Sequence, residues 1–286
     1  MLSIIIPTCN RPDAIKRTVH SILNIGIESE FEIIVINDHP QTPVEQFSDS
    51  RVKVIENEKN LGRSKSRNKG ALASEGEYLF FLDDDIEVKE NLFDRHVQAL
   101  NSGYSAVYSN VKNVRTDGKY SFLNEFLNTR GANKKNSGSK LASYFVTQFC
   151  SLKKDFFKQI GMFDENFSGY GWEDTELGLR IEDEGGKISF IKTGGLNHYH
   201  DKDVFEWIDQ IESGGRNLRY MINKYPRFKK TIHYGLLMSS LGAIAFNPLF
   251  VWSEKLKAKR SGGFFGYINY NYLFKAAVYR SLKRSV

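Results

Sequence analysis

The stretch Tyr78-Leu79-Phe80-Phe81-Leu82-Asp83-Asp84-Asp85 runs five apolar residues straight into three carboxylates. Five consecutive apolar side chains leave no polar face, which suits a strand covered on both sides, as in parallel sheets. Three adjacent carboxylates at the end of such a strand are costly to hold together unless a cation neutralises them. In an extended or tight-turn backbone, Asp83 and Asp85 point one way and Asp84 the other. Two hard oxygen ligands on one side, with room for more oxygens, suit Mg²⁺ or Mn²⁺ bound jointly with a phosphate. The alternative is a solvated acidic turn, and the apolar approach argues against it.

Upstream of this stretch, short β-rich runs alternate with helical patterns. Strands are expected over 2–6, 31–36, 52–56 and 78–82, and helices over 13–25 and 63–74. This order predicts an α/β fold with right-handed crossovers and a ligand crevice beyond the carboxyl ends of the strands. Three of those ends run into compact polar groups: Pro7-Thr8-Cys9-Asn10-Arg11-Pro12, then Asn37-Asp38-His39, then the three aspartates. Any one of them could be a cap or a turn. Together on one rim they mark a site.

Downstream, helices are expected over 89–101, 153–159 and 173–184, and strands over 106–114, 144–152 and 187–191, with a turn at Asp117-Gly118. The segment 132–140, ANKKNSGSK, has the composition of a flexible loop, with a lid as the functional alternative.

Two further segments carry chemistry. Asn60–Gly70, NLGRSKSRNKG, leads a glycine-containing turn into a helix with cations at 63, 65, 67 and 69. Free N–H groups, a positive dipole end and Arg63 and Arg67 on one face favour an anion such as a diphosphate, although a solvated basic helix would read the same way. Gly169–Arg180, GYGWEDTELGLR, places Glu173 and Asp174 at a helix start, where carboxylates favour the dipole. Tyr170 and Trp172 just before them add planar rings, and rings beside carboxylates suit a sugar: the rings cover its apolar faces and the carboxylates take hydroxyl protons.

In order, SIIIPTCNRP, IIVINDH, NLGRSKSRNKG, YLFFLDDD, GMFDENF and GYGWEDTELGLR resemble the family 2 glycosyltransferases of GT-A fold, over about residues 1–200. WEDTEL followed by an Asn197-His198 turn is most similar to the branch of chondroitin-polymerase-like and polypeptide N-acetylgalactosaminyltransferase-like enzymes. The resemblance implies a GT-A fold for the catalytic body; with the change of charge and pattern after 212, the expected division is a catalytic domain over 1–212 and a basic, aromatic helical extension over 213–286. It places Thr8 and Asp38 at the nucleotide base, with Pro7, Asn10, Arg11, Asn60, Gly62, Arg67 and Asp84 also on the nucleotide sugar. Asp83 and Asp85 become the DXD element, and His198 completes a Mn²⁺ or Mg²⁺ site. His200 lies two residues further on, but His198 falls on the motif position. Asp174 becomes the catalytic base of the pair it forms with Glu173, and Tyr170 and Trp172 meet the acceptor. The implied reaction is an inverting transfer from a nucleotide-diphosphate sugar, by family habit a UDP-sugar, to a hydroxyl of a saccharide or lipid-linked saccharide. A non-catalytic carbohydrate- or polyanion-binding protein on the same fold is the rival, and the intact motifs argue against it.

Composition bounds what remains. At 286 residues, 41 % hydrophobic and 26 % charged, the chain can build one large domain or two modest ones, which excludes intrinsic disorder. Cys9 and Cys150 are the only cysteines, so a disulfide scaffold is excluded and a reducing compartment is expected. The net charge of +6 is uneven. Residues 1–212 hold 26 Lys/Arg against 33 Asp/Glu, or −7, and residues 213–286 hold 14 against Glu254 alone, or +13. The apolar stretch 233–253 approaches the ~20 residues of a spanning helix, but its glycines, serines and Asn247-Pro248 point to a buried or interfacial segment. Its aromatics and the cations after it suit an anionic membrane surface. Packing on the core, a homodimer interface or a simply solvated basic surface are the alternatives. The N-terminus lacks a basic region and cleavage site, so a cytoplasmic protein is expected, peripheral at the inner face of the plasma membrane if the tail binds lipid, with no nucleic acid partner.

Overall fold

The computed structural model describes residues 1–133, 141–258 and 263–283. In chain order its elements begin with β1 (Leu2–Thr8), α1 (Pro12–Leu23), β2 (Phe31–Asn37), β3 (Val52–Glu56), α2 (Arg63–Ala73), β4 (Tyr78–Leu82), β5 (Ile86–Val88) and α3 (Phe93–Asn101). Next come β6 (Ala106–Ser109), β7 (Lys112–Val114), α4 (Phe122–Leu127), β8 (Phe149–Lys153), α5 (Lys154–Gln159), α6 (Glu173–Asp183), β9 (Ile188–Ile191) and β10 (Leu196–Tyr199). The rest is helical: α7 (Val204–Ser213), α8 (Gly215–Lys224), α9 (Phe228–Thr231), α10 (Tyr234–Leu237), α11 (Ser240–Ala245), α12 (Pro248–Ala258) and α13 (Gly263–Lys283).

The chain divides into two compact units. The first takes in Met1–Gly118, Leu127–Asn166 and Glu173–His200; the second takes in Lys119–Phe126, Phe167–Trp172 and Asp201–Val286. Helix α7, which runs across the boundary expected at 212, groups with the second unit.

In the first unit a seven-stranded sheet runs β3-β2-β1-β4-β8-β6-β9. β3, β2, β1 and β4 are parallel, and β8 is antiparallel to both its neighbours. Side chains alternate across it: Ile4 and Ile6 join Ile15, Val19 and Phe93 under α1 and α3, while Ile5 joins Ala71, Phe157 and Leu177 under α2, α5 and α6. Both faces are covered, as the unbroken apolar strands require. Deep in this core His96 bridges Ser151 and Ser109, each at 2.9 Å, and burial pushes its imidazole down to about 3, so it sits there neutral.

Gly76 lies where the chain enters β4. Its N–H donates to Ser3 Oγ at 2.8 Å, and a Cβ there would lie 2.8 Å from the backbone of Leu2 and Ser3. Backbone inside a central strand has little room to give, so Gly76→Ala should destabilise the fold by about 1–3 kcal/mol, read as a lower urea midpoint at unchanged m-value.

Four expectations need correction. The helix expected from residue 89 starts at Phe93, because Ile86–Val88 is a strand paired antiparallel with β10. The strand expected over 106–114 is two strands, split where the Asn110 amide exchanges hydrogen bonds with the Thr193 backbone. The strand expected over 144–152 is shorter and later, Phe149–Lys153, with Ala142–Tyr144 forming a 3-10 turn before it. Asn197-His198 is no turn: β10 lies between β5 and β7 in a second, three-stranded sheet. The loop expected over 132–140 lies, from 134 onward, outside the described residues.

The second unit packs helices around Trp207, Ile208, Leu218, Met221, Tyr270 and Leu273. Asp203 caps α7 reciprocally with Glu206, and Arg280 pairs with buried Glu212. Among the described residues no helix is long and apolar enough to cross a membrane.

Candidate active site

Parallel pairing sets Thr8 opposite Asn37, and β1 also pairs with β4, so the carboxyl ends of β1, β2 and β4 share one rim. The three aspartates after β4 form a turn, which overturns the expected split. Asp84 and Asp85 share Arg11, whose Nη1 lies 3.2 Å from Asp84 Oδ1 and 2.7 Å from Asp85 Oδ2; Asp83 turns to Arg67 instead. Thr8 Oγ1 donates to Asp84 Oδ2 at 2.7 Å and Thr18 Oγ1 to the Asp84 carbonyl at 2.7 Å. Burial and the neighbouring Asp85 carboxylate raise Asp84 to about 6, against the pull of Arg11.

Asp38 is buried and fully used. Its Oδ1 accepts from Leu61 N at 2.7 Å and Asn57 Nδ2 at 2.8 Å, and its Oδ2 from Gly62 N at 2.8 Å. These bonds pin the turn into α2, where Gly62 has φ 85°, a conformation that favours glycine. Asn60 Nδ2 reaches Cys9 Sγ at 3.5 Å, tying the same turn to the loop after β1. Asn10, with φ 55°, accepts from Thr42 Oγ1 at 3.0 Å, and Pro7 pairs with Ile36 in the sheet.

Arg67, expected at the diphosphate, points inward from α2 and is only 2 % exposed. Nη2 contacts Asp83 Oδ1 at 2.8 Å and Nη1 contacts Glu173 Oε1 at 3.2 Å. It thus ties the carboxylate turn after β4 to the start of α6, a role the motif order did not reveal because it needs the tertiary fold. Next to Glu173, Asp174 Oδ1 accepts from Thr175 N at 2.7 Å. Burial first, and then the Glu173 carboxylate, lift Asp174 to about 7, with Arg67 opposing.

His198 is placed by register: in β10 it faces Ile86, the residue after Asp85, and Tyr199 N donates to the Asp85 carbonyl at 3.0 Å. His198 Nε2 ends 3.3 Å from Asp85 Oδ1. The Asn113 amide gives its Nδ2 to Asn128 at 2.9 Å and so presents Oδ1 to His198 Nδ1 at 2.7 Å, which holds the ring with Nε2 toward Asp85. Burial alone would depress this imidazole, but Asp85 outweighs it and the net direction is up. Burial likewise opposes ionisation of Asp85, yet His198 and Arg11 hold its carboxyl well below the usual range.

This donor set can be tested against a divalent ion. Asp85 Oδ1 is buried without a hydrogen bond, and an imidazole nitrogen 3.3 Å away matches two adjacent ligands on one ion, which lie roughly 3 Å apart. Asp85 and His198 therefore fit. Asp83 stays with Arg67, and no group of three His, Cys, Asp or Glu is arranged to hold a metal among the described residues. The remaining positions would fall to diphosphate oxygens.

The expected acceptor residues group with the second unit. Gly169, Gly171 and Trp172 all have positive φ, and for Trp172, at 78°, that is strained backbone. The Trp172 ring meets Phe228 edge-on at 5.5 Å, and the Tyr170 carbonyl accepts from Asn217 at 3.2 Å.

A rim of parallel strand ends bearing a carboxylate turn, a carboxylate–imidazole pair and a helix-borne carboxylate pair sits at the carboxyl edge of a GT-A fold. Residues 3–161 match the profile of glycosyl transferase family 2, and residues 131–202 match that of the N-terminal domain of galactosyltransferase. The chain belongs to glycosyltransferase family 2.

A GalNAc(5)-diNAcBac-PP-undecaprenol beta-1,3-glucosyltransferase of Campylobacter jejuni is 30 % identical over 178 residues, 59 % of this chain and 56 % of its own. The crystal structure of Staphylococcus aureus TarS 1-349 is similar over 99 % of this chain and 90 % of its own, with TM-score 0.55 and 14 % identity. That of GalNAc-T7 with UDP, GalNAc and Mn²⁺ is similar over 71 % of this chain and 44 % of its own, with TM-score 0.52 and 19 % identity. These structural likenesses show the fold. The chain spans 29 % to 56 % of the first three curated relatives it matches.

Proposed function

We propose that this protein is an inverting glycosyltransferase of glycan or polysaccharide biosynthesis that moves a sugar from a nucleotide-diphosphate donor to an acceptor hydroxyl. The observation that carries this reading is the pairing of two carboxylate sites through one buried arginine: Arg67 joins Asp83, beside the metal-fitting Asp85 and His198, to Glu173, beside Asp174. A UDP-sugar donor and Mn²⁺ are supported by the GalNAc-T7 structure, which carries UDP and Mn²⁺. A lipid-linked saccharide acceptor is supported by the Campylobacter relative, whose name places its substrate on undecaprenol diphosphate. Such an acceptor would set the reaction at a membrane surface.

Asp174 is the general base. Its raised carboxyl is basic enough to take a hydroxyl proton near neutral pH, which is the range where base catalysis is efficient. As the acceptor oxygen attacks the anomeric carbon it loses its proton to Asp174, and the bond to the nucleoside diphosphate breaks on the opposite face. One such displacement inverts the configuration and needs no covalent nucleophile. Glu173 pairs with Arg67, and its carboxylate raises the basicity of its neighbour. A divalent ion held by Asp85 and His198 would neutralise the charge of the departing diphosphate. Tyr170 and Trp172, on the strained segment leading into α6, are the proposed acceptor contacts.

Thermal shift across nucleoside diphosphates and nucleotide sugars, with and without Mn²⁺, checks the donor. One nucleotide at about 100 times its Kd should stabilise the protein by about 2.7 kcal/mol, and only with Mn²⁺. No stabilisation by any nucleotide with Mn²⁺ would count against the proposal.

A further inference from the structure

We infer that the second unit docks on an anionic lipid surface through the outer side of helices α10–α13. Most of the exposed large apolar side chains among the described residues fall between Leu236 and Ile268, so the exposure is concentrated in one part of one unit. On α12, Leu249, Trp252 and Leu256 are spaced i, i+3 and i+7 along one face and are 77 %, 62 % and 50 % exposed. Val251 and Ala258, on the opposite face, are buried. A helix apolar on both faces is one that something else covers on its outer side. α11 exposes Leu241 and Ile244 three residues apart, and α13 exposes Phe265 near its start.

Charge selects the occupant. Lys229 and Lys230 on neighbouring α9 are exposed in the same unit, as is Lys257 of α12, which pairs with Glu254, and the unit as a whole holds 16 Lys/Arg against 7 Asp/Glu. A symmetric dimer through this face would set the same cationic surface against itself. An anionic headgroup layer supplies the opposite sign, while its acyl boundary takes the apolar side chains. Exposed Trp252 beside lysines is the pairing that sits well at such a boundary, with the ring in the apolar zone and the ammonium groups at the phosphates. The surface goes beyond the transfer reaction and does not depend on the donor. It serves the proposed lipid-linked acceptor by bringing enzyme and acceptor to one plane.

Co-sedimentation of the full chain with phosphatidylcholine vesicles, with and without about one-third phosphatidylglycerol, tests it. Binding should be at least tenfold tighter to the anionic vesicles and should weaken steeply on raising salt, with a blue shift of tryptophan emission. A Leu249→Glu/Leu256→Glu variant, altered only at exposed positions, should lose about tenfold or more in vesicle binding while keeping its thermal midpoint and its Mn²⁺-dependent nucleotide stabilisation. Equal binding to both vesicles, an unaffected variant, or no binding together with a dimer by light scattering that the variant abolishes would overturn the inference. None of those results would touch the nucleotide response on which the proposed transfer stands.

Discussion

An Asp174→Asn variant is expected to transfer sugar about 10²- to 10⁴-fold more slowly than the parent while binding nucleotide with Mn²⁺ as before, measured by steady-state kinetics and calorimetry. The pH profile separates lost base from lost structure. Only ionised Asp174 can accept a proton, and its carboxyl lies at about 7, so parental kcat/KM should fall about tenfold per pH unit below 7 and level off above it. The variant should lack that acid limb. Stability moves the other way: a carboxyl whose folded value is raised binds its proton more tightly in the native state than in the unfolded chain, so stability is lost as pH rises from about 4 toward 7. The asparagine amide carries no charge to bury, so the variant should be at least as stable as the parent at pH 7. A less active but more stable protein is the signature of a base held in place against its solvation.

The second large effect concerns Arg67. Its guanidinium is buried between Glu173, itself 5 % exposed, and Asp83. Removing one partner of a buried pair leaves an uncompensated charge, and Arg67→Met should cost about 3–5 kcal/mol of folding stability, measured by urea unfolding. Most of the loss should come back in Arg67→Met/Glu173→Gln, which removes the stranded charge. Activity should not come back, because the tie between the turn at Asp83 and the start of α6 is gone. In the folded Arg67→Met variant the acid limb should move to higher pH, since Arg67 lowers the Asp174 carboxyl in the parent; in the double variant it should not, because Glu173, which raises that carboxyl more, is gone too. A double variant as unstable as the single one would show that Glu173 is not held by this pair.

What could be seen in the sequence depended on whether the information was local. The parallel strands showed themselves because both faces of each are covered, which leaves unbroken runs such as Ile33–Ile36 and Tyr78–Leu82. Asp38, Asp83–Asp85 and Glu173-Asp174 were findable as polar residues at element ends. Strand β10 was not, because Leu196–Tyr199 becomes a strand only between β5 and β7, partners more than 80 residues away. The coupling of Asp85 to His198 follows from that pairing. The inward turn of Arg67 was hidden for a similar reason: a basic run at a helix start reads as an anion site until the fold supplies buried Glu173 and the half-buried Asp83. Asn113, which orients His198, carries no local mark at all; it is one asparagine in a short strand.

Proton NMR of the sugar released from the donor that the nucleotide panel selects tests the central claim most directly. With water as acceptor, an α-linked nucleotide sugar should give the β-anomer first, before mutarotation, in the presence of Mn²⁺. First release of the α-anomer, or no Mn²⁺-dependent release from any nucleotide sugar, would contradict an inverting transfer driven by Asp174.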